Sequence, residues 1–87
     1  MNRYTVTWKP QAKARLAKMW NENPRIRADI SSASDEIDRL LAIEPEHVGN
    51  AQSANSRVCT VPPLEVLFSF SADDQTVRVI YVKFWDE

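Results

Sequence analysis

Cysteine, histidine and glycine each occur once in this chain of 87 residues, as Cys59, His47 and Gly49. One cysteine cannot close an internal disulfide, and one cysteine with one histidine cannot build a zinc cage. The fold must therefore hold by packing, and no metal or cofactor site is expected. Long apolar runs are missing too: none approaches the roughly 18 residues needed to cross a bilayer, and the opening MNRYTVTWK has no signal-peptide core. The expectation is a cytoplasmic protein with no membrane partner. A strong charge of one sign is absent, since 11 basic residues meet 12 acidic ones and the pI is about 5.8. That balance argues against an RNA-rich target, which favours a strongly basic protein.

What is present suffices for a core. The apolar fraction is 44% and the charged fraction 26%, values of an ordinary folded domain. The length leaves room for one domain, 1–87, burying about 60–65% of its unfolded surface. Charge is unevenly spread: residues 1–27 carry seven basic side chains against one acid, a net of +6, and residues 28–87 carry four against eleven, a net of −7. Such a chain either presents a positive pole to an anionic partner or folds its two halves against each other and cancels the field.

Tyr4, Val6 and Trp8 alternate with Arg3, Thr5 and Thr7, the period of a half-buried strand that Pro10 ends. Ala12, Leu16, Met19 and Trp20 then recur at helical spacing, with Arg15, Lys18 and Glu22 on a flank. Asn23-Pro24 reads as the cap and first turn of a second helix. Its stripe is Ile26, Ile30, Ala33, Ile37, Leu40 and Leu41, with Asp35 and Arg39 spaced as an ion pair and Pro45 as its stop. Residues 44–56 are polar and read as a loop. Strands are expected over 57–61, 64–71 and 76–84, the last two as a hairpin, with 76–84 central because it is apolar on both faces. Leu64, Val66, Phe68 and Phe70 should face the helices, leaving Glu65, Leu67 and Ser69 on the other side. The result is an α+β fold, β-α-α-β-β-β, with both helices on one face of a small, mostly antiparallel sheet.

This order of elements, with YTVTWKPQAKARLAKM, IDRLLAIEP, a glycine loop leading to Arg57, LEVLFSF and TVRVIYV, resembles the RelE/ParE superfamily of bacterial toxins over nearly the whole chain. The resemblance implies the toxin of a type II toxin–antitoxin pair, associated with plasmid stabilization and growth inhibition, and neutralised by a small antitoxin protein. It implies no sequence-specific DNA binding. RelE-like members cut messenger RNA in the ribosome without metal; ParE-like members inhibit DNA gyrase by binding it.

Metal-free RNA cleavage needs groups that activate a 2′-hydroxyl, stabilise the phosphate and protonate the leaving oxygen. RelE-like nucleases supply basic residues on the strand after the loop, an arginine at the start of the next strand, another after the last strand, and often a C-terminal tyrosine or histidine. Here Arg57 fits the first position, but Cys59 follows two residues on, Glu65 stands for the arginine, and Lys83 is the one base near the end. The segment Phe84, Trp85, Asp86, Glu87 carries none of the family's C-terminal catalytic extension. The expectation is a ParE-like toxin that binds a protein target such as gyrase and is not an enzyme. The alternatives are a metal-independent endoribonuclease using Arg57 and Lys83, or a non-toxic interaction module.

Arg57 suits either a phosphate contact or a solvated strand edge, and Cys59 reads as a small packed hydrophobe more than a nucleophile. His47 reads as an exposed loop residue. Glu44, Glu46, Asp73 and Asp74 read as turn chemistry. Trp8, Trp20 and Phe68 are expected in the core. Trp85, so far along the chain, is a partner-contact candidate with Lys13, Arg15, Lys18 and Arg57.

Overall fold

The computed structural model describes residues 3–86; Met1, Asn2 and Glu87 lie outside the described residues. Strand β1 (Thr5–Trp8) leads into α1 (Pro10–Glu22), a 3-10 turn (Pro24–Ile26) and α2 (Arg27–Ile43). A second 3-10 turn (Pro45–His47) precedes β2 (Asn50–Ala51), β3 (Ser56–Val61), β4 (Leu64–Ser71) and β5 (Thr76–Phe84). The sheet runs β1-β5-β4-β3-β2, with β1 parallel to β5 and every other pairing antiparallel. This is the expected α+β architecture with one addition: the segment read as loop contributes β2, which pairs Asn50 and Ala51 with Val58 and Arg57.

The core lies between the helices and one sheet face. Met19 of α1, Ile30, Ile37 and Leu41 of α2, Val66 and Phe68 of β4, and Val77, Val79 and Val82 of β5 are buried in one cluster. Each fully buried aliphatic or aromatic side chain contributes about 1.5–3 kcal/mol over leaving it exposed. The strand β5 is central, flanked by β1 and β4, but its apolar character has a different cause from burial on both faces. A bulge opposite Leu67/Phe68 lets Phe68 pair with Val79 and Leu67 with Tyr81, so Ile80 is the extra residue. Beyond a bulge the inward parity changes by one. Val77, Val79, Val82 and Phe84 thus face the helices, while Thr76, Arg78, Tyr81 and Lys83 face the open side.

Three local expectations are corrected and a fourth is refined. Trp20 is 39% exposed, because its indole spans the helical hairpin and donates from Nε1 to Ser31 Oγ at 3.2 Å. Trp8 packs against the core as expected but is only half-buried, its Nε1 donating to Asp38 Oδ1 of α2 at 2.7 Å. Asn23 does not cap α2, which starts only at Arg27; its Nδ2 reaches back to Met19 O at 2.7 Å. Arg27 completes that closure, donating to Trp20 O at 2.9 Å and Asn21 O at 3.2 Å and lying 4.3 Å from the Trp20 ring centroid. The last carbonyls of a helix lack intrahelical donors, and here both side chains supply them. Finally, Arg39 pairs with Glu36 at 2.5 Å, one residue closer in the chain than Asp35. This hydrogen bond, with the Arg39 charge, holds the Glu36 carboxyl below its usual range.

Candidate functional site

The register of the sheet decides which basic residues can act together. Opposed residues on neighbouring strands share a face. Arg57 opposes Phe68, whose side chain is fully buried beneath the helices, so Arg57 leaves the sheet on the covered side, at its edge. There it donates from Nε to Val48 O at 2.8 Å and from an Nη to Gly49 O at 2.7 Å. Its guanidinium fastens the loop before β2 to β3. Gly49 fits this clasp only as glycine: its φ is +71°, and an added Cβ would sit 1.9 Å from Val58 O.

Lys83 opposes Glu65 on the open side, its Nζ 3.7 Å from Glu65 Oε2. The fold therefore does not bring Arg57 and Lys83 together; they stand on opposite faces of the sheet. Glu65 also accepts a hydrogen bond from Thr60 Oγ1 at 3.1 Å. A carboxylate thus stands beside the lysine on the open face. Cys59 opposes Val66 within the core, and burial pushes its thiol pKa up, the reverse of what a nucleophile requires. His47 is exposed, with Glu44 Oε2 3.2 Å from its Nδ1. That carboxylate neighbour is one the sequence spacing did not single out.

Arg15 is held by the sheet. The strand β1 ends opposite Val79, leaving the rest of that β5 edge uncovered, and Arg15 Nε donates to Val82 O at 2.6 Å with its guanidinium 5.1 Å from the Tyr81 ring centroid. Lys13 and Lys18 remain exposed. Lys13 edges a groove of about 290 Å³ between the helices, floored by Leu16, Ala17, Trp20 and Ile30. Trp85 is 52% exposed and lines a depression of about 430 Å³ with Asp29, Ala33 and the cis Pro62-Pro63 corner, where its backbone N donates to Pro63 O at 3.0 Å. These two hollows flank α2 on opposite sides, so Lys13 and Trp85 belong to separate surfaces.

The candidate residues thus divide. Arg15 and Arg57 spend charged hydrogen bonds on carbonyls of the fold itself, Lys83 is matched by Glu65, and Lys13, Lys18 and Trp85 face solvent. Sequence reasoning missed Trp20 and Tyr81, 39% and 46% exposed, as surface aromatics. Their stripes placed them correctly on helix and strand, but the splay of the hairpin and the bulge decided their exposure.

No family model matches the chain, and no curated protein matches it. Solved structures do. One is a chain of the toxin–antitoxin complex RelBE2 from Mycobacterium tuberculosis, with a TM-score of 0.78 and 22% identity, covering 100% of this chain and 97% of that one. Another belongs to the chromosomal ParDE toxin–antitoxin system of P. aeruginosa, with a TM-score of 0.73 and 12% identity over 93% of this chain and 95% of that one. The helical hairpin on a β1-β5-β4-β3-β2 sheet is thus a fold that this chain shares with chains of these two toxin–antitoxin systems.

Proposed function

We propose that this protein is the toxin of a type II toxin–antitoxin pair, that a small antitoxin neutralises it, and that it acts in the ParE manner, by binding a protein target such as DNA gyrase. The observation that carries the choice of protein over RNA is the separation of Arg57 from Lys83 across the sheet, with Glu65 beside Lys83. Cleavage of a phosphodiester needs cationic and acid–base groups converging within hydrogen-bond reach of one phosphate. A carboxylate beside the one lysine works against that. Binding of a protein asks for less: exposed aromatic anchors with charged neighbours. Trp85 on one flank of α2, and Trp20 with Lys13 on the other side, supply them. Arg15 and Arg57 contribute to such surfaces through the backbone they hold.

Induction of the chain alone in a bacterial host should arrest growth, and co-expression of an adjacent small reading frame with an amphipathic tail should relieve it. Purified protein added to gyrase should inhibit supercoiling. Normal growth at high soluble yield would instead assign the chain as a non-toxic interaction module.

A further inference from the structure

The open face carries two cations on β5, and they are treated differently. Lys83 has an acid opposite it on β4, whereas Arg78 has Ser69 opposite on β4 and Thr7 opposite on β1. Arg78 is exposed and makes no hydrogen bond or ion pair among the described residues. Among the described residues it is the one charged side chain lining a hollow of about 300 Å³, together with Thr7, Asn55, Ser69, Ser71 and Thr76. Not all of these are available. Thr7 Oγ1 donates to Val77 O at 3.4 Å, and Ser71 Oγ is engaged with Asp74 in the β4–β5 turn. Among the described residues the hydroxyls of Ser69 and Thr76 and the side-chain amide of Asn55 have no such partner, so they remain as donors around the Arg78 fork.

We propose that this hollow is an oxyanion pocket that takes a single carboxylate side chain, presented by an acidic segment of a partner protein. The inference rests on the reading of the chain as a protein-binding toxin and adds the chemistry of one contact. A guanidinium pairs with a carboxylate through two parallel N–H···O bonds, and neutral donors on the rim complete the shell of such a group. Among the described lining residues there is no carboxylate to compete. One cation suits one carboxylate; a nucleic-acid strand needs a track of them, and along this face the next cation is already matched by Glu65.

The test is an NMR titration of the 15N-labelled full chain with an end-capped pentaglutamate peptide, and separately with pentaglutamine and with hexauridylate. Saturable shifts at the amides of Arg78, Ser69, Thr76 and Asn55 are expected with pentaglutamate and not with pentaglutamine. Loss of a hydrogen-bonded charge pair corresponds to about a tenfold or greater weakening, expected for Arg78→Gln. Arg78→Lys, which keeps the charge and loses the fork, should fall between the two, and Lys13→Gln should change nothing at these amides. Shifts spread equally over Lys13 and Lys18, shifts that survive Arg78→Gln, stronger binding of hexauridylate at the same amides, or no saturable shift would each overturn the proposal. Because the titration uses purified protein and defined peptides, its failure is distinct from an absence of toxicity in cells.

Discussion

The two faces of the sheet spend their residues in opposite ways. On the covered face, polar groups serve the backbone: Arg57 clasps the loop before β2, while Asn23 and Arg27 close the end of α1 between the helices and Arg15 guards the uncovered β5 edge. On the open face, hydroxyls and charges are set among one another, with Glu65 opposite Lys83, and Ser69 and Thr7 opposite Arg78. The lesson is that a basic residue in this fold cannot be assigned a partner from its type. Its face decides whether it holds the chain together or meets something else.

The sharpest way to break the contrast is to truncate neighbours that point in opposite directions. Phe68→Ala should cost about 3–5 kcal/mol by emptying the centre of the core, whereas Leu67→Ala, on the open face, should cost less than about 1 kcal/mol. Equal losses in urea unfolding would mean that the open face is packed as well. Next is Gly49→Ala, expected to cost about 3 kcal/mol, because a left-handed backbone and a collision with Val58 O act together. Thermal unfolding would register it as a drop of several degrees.

Arg57→Ala should cost about 1–3 kcal/mol, since two backbone carbonyls lose their charged donor, and Arg78→Ala should stay within about 0.5 kcal/mol of the parent. Amide exchange should speed up around 48–51 for the first variant and not for the second. The smallest effect concerns Cys59. Burial raises its pKa, so the unfolded thiol ionises first and stability falls only as pH rises through the ordinary thiol value near 9.0. Below that range the thiol should resist alkylation in the native protein and react once urea unfolds it. Rapid labelling under native conditions would place Cys59 outside the core.

Much of the fold was legible because it rests on period. Tyr4, Val6 and Trp8 at spacing two, the Ile30, Ala33, Ile37 and Leu41 stripe, and the alternation from Leu64 to Phe70 each dictated an element and its inward side. The site was less legible, for a physical reason. Asn23, Arg15 and Arg57 answer carbonyls of the main chain, which every residue carries and no pattern marks. Arg78 and Lys83 differ only in what opposes them on β4, and the bulge at Ile80 sets that register. The bulge also explains why the run VRVIY looked apolar on both faces. Trp20 shows a further limit, because helical spacing placed it on the inner stripe while the hairpin left it over a groove.

The central claim is the proposed one: the chain acts by binding a protein target and not by cutting RNA. It is tested most directly by mapping transcript ends across the genome shortly after the chain is induced without a partner. Growth arrest with transcript ends unchanged from the uninduced culture is the predicted result. New cleavage ends accumulating within translated codons, abolished by Lys83→Ala, would contradict it.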